Sequence, residues 1–222
     1  MDSNNLMALL KHSPPFSHLP GAELTRLAAR CRLQRFAPGE SIFAVGERAD
    51  SLWLIKTGLV RVCTVDHRAP LTVAFQGPGE LLDNVGMLRH YRHADEASAV
   101  VPVEAAVIPA DAYDSLVERH PSAAVEVSRL LAARLLECRR MRAMLNCPGR
   151  QRLAGLLMWL RERLGDEIPF TRGMLAEFAG FSREATIRLL SPMEKAGWIA
   201  TRRGRVQIKA PKRIAAAASK PS

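Results

Sequence analysis

Three charged side chains on one predicted helix have the types and spacing that read the edges of DNA bases. Arg183, Glu184 and Arg188 fall in the first turns of a helix that follows a glycine turn. A guanidinium can donate two hydrogen bonds to guanine, and a carboxylate can accept one from the amino group of cytosine. Since a helix-turn-helix presents these turns to the major groove, the segment predicts sequence-specific DNA binding.

The residues before this helix supply the turn that would position it. Ala176 is small where two helices would cross, Gly180 can adopt the left-handed conformation of the turn, and Ser182 can cap the next helix. We therefore predict a helix-turn-helix over residues 171–193. The alternative interpretation of its charges is a solvated helical face.

A predicted β-hairpin after the helices completes a winged helix-turn-helix. Its basic tip is Arg202-Arg203-Gly204-Arg205, flanked by apolar strand residues. Ile187, within the second helix, could contact a thymine methyl group or pack inside the protein. The predicted DNA-binding residues are Thr171, Ser182, Arg183, Glu184, Ile187, Arg188, Arg202, Arg203 and Arg205.

The positive charge is concentrated in the last third of the chain. The 222 residues carry a formal net charge of +10, with 32 Lys or Arg and 22 Asp or Glu. From residue 148 onwards there are fifteen basic and six acidic residues, which is a net charge of +9. This asymmetry indicates a polyanionic partner. Double-stranded DNA fits better than a membrane surface, because no basic amphipathic anchor is present.

Several function classes find no support in the motifs. The four cysteines lie far apart without CxxC spacing, so we expect no metal site and reduced thiols. No Ser/His/Asp, HExxH or phosphate-loop pattern indicates an enzyme. There is no signal-peptide pattern and no apolar run long enough to span a membrane, so we expect a cytoplasmic protein.

The N-terminal half has the pattern of a small β-roll. Short helices are predicted at residues 6–10 and 22–31, and another at 109–118. Between residues 33 and 108, eight short runs with period-two alternation are separated by turns rich in glycine and proline. The fold class predicted for the whole chain is α+β.

A long helix is predicted from residue 121 to about residue 146, and its apolar residues recur at three- and four-residue steps. So long and narrow an apolar seam requires a partner, and we predict a homodimer. The alternative is a helix packed only on its own β-domain. The predicted dimer interface consists of Val127, Leu131, Leu135, Cys138, Met141 and Leu145.

These parts occur in an order that resembles the cyclic-AMP receptor protein and fumarate-nitrate regulator (CRP/FNR) superfamily of bacterial transcription factors. The strongest similarity covers residues 175–176, 180–184, 188–190 and 193–199. The resemblance implies a cyclic-nucleotide-binding-like β-roll, or jelly roll, at 1–118. It further implies a dimerisation helix and hinge at 119–147, a winged helix-turn-helix at 148–210 and a disordered basic tail at 211–222.

The resemblance also implies how the protein acts. Arg183, Glu184 and Arg188 match the base-reading residues of the family, which implies a half-site with a GTGA-like core. A two-fold dimer would bind an inverted-repeat operator, and RNA polymerase is a further expected partner. The rival from another class is a signalling adaptor whose basic tail binds RNA or a membrane.

The effector pocket departs from relatives that bind cyclic AMP. Asp83 and Asn84 stand at a Gly-Glu pair of those relatives, while His93 and Ala94 stand at an Arg-Ser pair. A cyclic phosphate needs a permanent cation and convergent donors, although Arg92 could serve after a one-residue slip. We therefore expect a regulator not controlled by cyclic AMP, with an unknown effector and no cofactor.

Two alternatives within the same family stay open. One is a cyclic-nucleotide-responsive regulator with a rearranged phosphate site. The other is a haem- or redox-sensing regulator. The haem ligands would come from Cys63, His67, His90 or His93, which qualify only by residue type, whereas Cys138 and Cys147 are the candidates for oxidation.

Overall fold

The chain folds into two compact units that divide between Arg134 and Leu135. The computed structural model describes residues 2–66, 69–82, 92–144 and 146–219. The N-terminal unit is a β-roll with flanking helices, and the C-terminal unit is a set of helices around a small sheet. The predicted α+β class is confirmed.

The N-terminal unit is built on two antiparallel sheets of four strands each in its described part. One sheet has the order β1-β8-β3-β6 and the other the order β2-β7-β4-β5. The strands are β1 (Arg32–Phe36), β2 (Ser41–Phe43), β3 (Ser51–Thr57), β4 (Val60–Asp66), β5 (Ala69–Gln76), β6 (Leu81–Leu82), β7 (Glu96–Ala99) and β8 (Val103–Pro109).

Four helices surround the first of these sheets or extend from it. They are α1 (Asp2–His12), α2 (Gly21–Ala28), α3 (Ala110–Arg119) and the long α4 (Pro121–Met144). The short helix predicted at residues 6–10 is longer than expected, because Leu6 and Leu10 belong to a helix that begins at Asp2.

Strands β3 and β8 are buried on both faces, which their composition explains. In β3, Trp53 and Ile55 point into the core between the two sheets, whereas Leu52 and Leu54 pack against the helices. A strand covered on both sides has no polar face, so its sequence is almost continuously apolar. The alternating pattern expected of the β-roll therefore does not hold for these central strands.

Gly58 makes the tight connection between β3 and β4 possible. Its φ of 97° lies in the left-handed region, and an added Cβ would stand 2.4 Å from the carbonyl oxygen of Pro102. A side chain there would meet both backbone strain and a steric clash.

The first part of the apolar seam of α4 is used inside the chain. Val127 is buried in the same core as helices α1 to α3, and Leu131 packs against that core. We correct the interface prediction for Val127, because its surface is already covered by its own β-roll. Leu135 and Leu136 remain 63% and 54% exposed, and Cys138 is also exposed. Leu145 and the side chain of Met141 lie outside the described residues.

The C-terminal unit contains α5 (Gly149–Leu164), β9 (Glu167–Ile168), α6 (Arg172–Ala179), α7 (Arg183–Lys195), β10 (Ile199–Arg202), β11 (Arg205–Ile208) and α8 (Pro211–Ser219). Its antiparallel sheet has the order β10-β11-β9. The unit begins earlier than the predicted Pro148, since the last turns of α4 belong to it. Glu137 on α4 accepts a hydrogen bond from the indole of Trp159 at 2.7 Å and pairs with Arg163.

The prediction of a disordered tail from residue 211 is wrong for residues 211–219. This segment forms helix α8, which packs against α5 and buries Ile214 completely. The alanines that follow Ile214 have the highest helix propensity, and one apolar anchor holds the helix to the module. Its basic residues indicated a solvated tail, and one large apolar residue among alanines does not by itself predict a buried helix.

If α8 is part of the folded module, Ile214→Ala should lower the free energy of unfolding by about 2–5 kcal/mol, because it removes a fully buried side chain. Urea unfolding followed by circular dichroism measures the change. Lys212→Ala, at an exposed position of the same helix, is the matched control and should change stability little. Equal stability of both variants would mean that the tail contributes nothing to the fold.

Candidate nucleic-acid interface

The turn between α6 and α7 has the geometry expected of a helix-turn-helix. Gly180 ends α6 in the left-handed conformation, with φ 67° and ψ 42°. The N–H of Phe181 donates to the carbonyl of Ala176 at 2.9 Å, so the turn closes on the small residue at the helix crossing. At the other end of α6, the hydroxyl of Thr171 accepts a hydrogen bond from the N–H of Met174.

Helix α7 begins at a strong cap. The hydroxyl of Ser182 accepts from the N–H of Ala185 at 3.1 Å, which satisfies one of the free donors of the first turn. Thr186 is fully buried, yet its hydroxyl donates to the carbonyl of Ser182 at 3.1 Å. This bond explains how a polar residue is tolerated at a core position. The helix continues through Pro192 to Lys195.

The predicted reading residues lie together on the outer surface of α7. Arg183, Glu184, Ile187 and Arg188 are all exposed. Arg188 forms no ion pair with any residue that the structure describes, so its guanidinium is available to a ligand. Ile187 is 40% exposed, which excludes the interpretation that it packs inside the protein.

Glu184 is held in its ionised form. Its own backbone N–H and the hydroxyl of Ser182 donate to the carboxylate, and Arg183 lies nearby; these interactions keep the pKa of Glu184 below its usual range. An ionised carboxylate only accepts hydrogen bonds, which matches the amino group of cytosine.

The hairpin of β10 and β11 presents arginines at its tip. Arg202 pairs with Arg205 across the hairpin, and Gly204 takes a φ of 75° in the turn. Arg202 and Arg203 are exposed and make no ion pair within the described ranges. Arg205 is also exposed but lies 3.4 Å from the carboxylate of Glu167.

A polar clamp joins the end of α7 to this wing, and sequence reasoning missed it. Glu194 accepts hydrogen bonds from the hydroxyl of Thr201 at 2.5 Å and from its N–H at 3.1 Å. Arg172 donates to the same hydroxyl at 2.8 Å and lies 3.6 Å from Glu194. The Thr201 hydroxyl is the main reason why the pKa of Glu194 is lowered. The wing and the reading helix are therefore held as one surface.

Two cation–π contacts support the same surface from α5. The guanidinium of Arg152 lies 4.2 Å from the ring centre of Phe181, and that of Arg150 lies 5.5 Å from Trp198. These arginines were counted in the sequence only as basic charge. Arginine next to an aromatic ring is a signal too common to have identified the pairs beforehand.

A shallow groove runs along the exposed side of α7. It is lined by Glu184, Ile187, Arg188, Ser191, Pro192 and Lys195. Ser191 and Lys195 were not among the predicted contacts, although their spacing of four and eight residues from Ile187 places them on its face.

Only some of the candidate effector-pocket residues lie within the described part of the chain. Asp83 and Asn84 lie outside the described residues. His93 is buried and stacks on Phe43 with ring centres 4.0 Å apart. Arg92 is exposed and donates to the carbonyl of Gly46 at 2.6 Å, and Ala94 is exposed.

The structure describes only some of the residues that could bind haem or sense oxidation. Cys63 is buried beside Thr72, and burial raises the pKa of the Cys31 thiol to about 11. His67 and His90 lie outside the described residues. Within the described ranges, no three His, Cys, Asp or Glu side chains cluster as metal ligands would, and no helix has the length and apolarity to cross a membrane.

Comparison with known proteins identifies the family. The model of the Crp-like helix-turn-helix domain matches residues 151–217, and that of the cyclic nucleotide-binding domain matches residues 33–120. The cyclic AMP receptor protein of Thermus thermophilus is 30% identical over 203 residues, covering 90% of this chain and 94% of the relative. The chain belongs to the CRP/FNR family.

Two further relatives agree with this assignment. The nitrogen fixation regulation protein FixK of Bradyrhizobium diazoefficiens is 26% identical over 221 residues, covering 95% of this chain and 92% of the relative. The structure of FixK2 from Bradyrhizobium japonicum has a TM-score of 0.75 at 16% identity, covering 86% of this chain and 99% of that chain, and it shows the same fold. The protein is a CRP/FNR-type transcription regulator with a helix-turn-helix DNA-binding domain.

Proposed function

We propose that this regulator binds an inverted-repeat operator as a homodimer and that cyclic AMP does not control it. The observation that best supports DNA binding is the exposed face of α7. Arg183, Glu184 and Arg188 lie together there, and a basic wing follows them in the chain. In this proposal the two arginines donate to guanines and Glu184 accepts from cytosine, as a GTGA-like half-site requires.

The wing has a different task. Arg202, Arg203 and Arg205 at the hairpin tip neutralise backbone phosphates, which adds affinity without sequence preference. Because the clamp at Glu194 holds the wing to α7, phosphate contacts fix the depth and angle at which the reading residues enter the groove. Thr171 and Ser182 stand at the two helix N-termini, where free backbone N–H groups can donate to phosphates.

The proposed dimer uses the exposed part of α4. Leu131, Leu135 and Cys138 stay in the proposed interface, and Leu136 joins it as a second large exposed apolar residue. Adjacent exposed leucines on a long helix are the kind of apolar surface that a partner helix covers. A two-fold dimer presents two reading helices to successive major grooves, and an inverted repeat matches that symmetry.

Independence from cyclic AMP rests on the residues at the phosphate cassette. Where the relatives have an arginine, His93 is buried against Phe43, and Ala94 offers no hydroxyl. Arg92 is already bonded to the carbonyl of Gly46. A ligand shifts a conformational equilibrium only through differential affinity, and a pocket without its phosphate clamp provides little of it.

The different roles proposed for α7, which reads bases, and for the wing, which binds phosphates, give the first test of function. Arg188→Ala should cost about 1–3 kcal/mol on a duplex selected by the protein, while binding to random duplex changes little. Arg203→Ala should weaken both duplexes similarly and lower the salt slope by about one. Fluorescence anisotropy at several salt concentrations measures both effects.

Arg32→Ala is the matched control for these variants, since Arg32 is an exposed arginine on β1 of the N-terminal unit. It should leave both affinities unchanged. A loss for Arg188→Ala that is the same on selected and random DNA would contradict the role assigned to the helix. A loss for Arg203→Ala confined to the selected duplex would contradict the role assigned to the wing.

Introducing charged residues into the proposed interface tests whether it forms the dimer. Leu135→Glu with Leu136→Glu should give monomers that bind the operator poorly, because charges would be buried without partners between the helices. Both positions are exposed within one chain, so the fold should survive. Ala133→Glu places the same charge at another exposed position of α4 and should remain dimeric in sedimentation. If the double variant remained dimeric, the interface would have to lie elsewhere on the protein.

If cyclic AMP does not control the protein, cyclic nucleotides should not change its affinity for the operator. Titration of the protein with cyclic AMP or cyclic GMP, by calorimetry, should show no micromolar binding and no change in operator affinity. Micromolar binding with at least tenfold tighter operator binding, about 1.4 kcal/mol of coupling, would contradict it. Loss of that binding in Arg92→Ala would then establish the rearranged phosphate site.

A further inference from the structure

The exposed isoleucine of α7 is not explained by the three polar reading residues. Ile187 is a large apolar side chain, 40% exposed, beside the charged side chains of Glu184 and Arg188. A β-branched residue loses side-chain freedom in a helix, and its exposed surface contributes nothing to the core. Single exposed apolar residues are common on protein surfaces, so the place of Ile187 on the reading surface, and not its exposure alone, indicates a ligand.

The position of Ile187 lies within the reading surface. At 3.6 residues per turn, Ile187 is about 40° around the helix from Arg183 and about 60° from Glu184. It also lines the groove with Glu184, Arg188 and Ser191. Any duplex that contacts the charged side chains must pass over this isoleucine.

The chemistry of the major groove offers one apolar group to such a side chain. Three of the four bases present only donors and acceptors there, whereas thymine adds a C5-methyl group. Burying a polar base edge against isoleucine would leave that edge without a hydrogen bond. Burying a methyl group leaves no hydrogen bond unmade, and removing its apolar surface from water lowers the free energy of the complex.

We propose that Ile187 is a specificity-determining residue that reads a thymine methyl group in each half-site, beside the bases read by Arg183 and Glu184. This inference rests on the proposed operator binding and adds one base to its recognition. It predicts a preference that the polar contacts alone would not produce.

Selection from randomised DNA tests the inference without assuming an operator sequence. Wild-type protein and Ile187→Ala are each used to enrich a pool of duplexes with randomised inverted half-sites. The wild type should enrich thymine at one position per half-site, and Ile187→Ala should lose that preference while keeping the others. Val73→Ala, which truncates a comparably exposed apolar residue on β5, is the matched control and should enrich the wild-type sequence.

Removal of the methyl group alone provides the second measurement. In the duplex selected by the wild type, deoxyuridine replaces thymine at the same position of both half-sites. Wild-type affinity should fall by about tenfold, which corresponds to about one buried methyl group per half-site. Ile187→Ala should bind the two duplexes equally, and Ile187→Val should retain part of the sensitivity.

The outcomes separate this inference from the proposed function. Identical enrichment by wild type and Ile187→Ala, or an equal deoxyuridine effect in both, would overturn the role of Ile187 and leave operator binding intact. A wild type that enriches no sequence would overturn the proposed function itself. Unchanged thermal unfolding of Ile187→Ala shows that the effect is on reading and not on folding.

Discussion

The left-handed conformation of Gly180 is the constraint on which the DNA-binding surface depends. It ends α6 and turns the chain so that Phe181 bonds back to Ala176 while Ser182 caps α7. Only glycine adopts this conformation without strain, and only a small residue at the crossing lets the helices approach. With the angle of α7 fixed, Arg188 and its neighbours lie exposed on one side of the helix, and the role that we propose for them depends on this position as much as on charge.

A second layer of contacts joins this helix to the wing. The carboxylate of Glu194 is satisfied by Thr201 and Arg172, so the hairpin cannot move without breaking several polar bonds. Arg152 covers Phe181 from α5 and supports the turn itself. The residues that we propose to read bases and those that we propose to bind phosphates are thereby held on one surface, as preorganised recognition requires.

The sequence predicted the local features and missed those that depend on distant contacts. Glycine turns, helix caps and apolar periodicity located the helix-turn-helix and the β-roll, because each acts within a few residues. The helix anchored by Ile214 was missed because so short a helix is stable only when it packs, and its packing on α5 is not visible in its own residues. Likewise, periodicity placed Val127 on the seam of α4 but could not tell whether the β-roll or a partner covers it. The clamp at Glu194 joins residues whose pairing only the folded hairpin reveals.

In the proposed complex, the α7 helices of the dimer enter the major groove at two half-sites related by two-fold symmetry. Methylation of guanine N7 blocks an arginine that reads that edge, so methylation interference on the selected duplex tests the claim directly. We expect interference at guanines in both half-sites, placed symmetrically and one helical turn apart, with the signal assigned to Arg188 absent in Arg188→Ala. Interference confined to one half-site, or an unchanged pattern in Arg188→Ala, would contradict it.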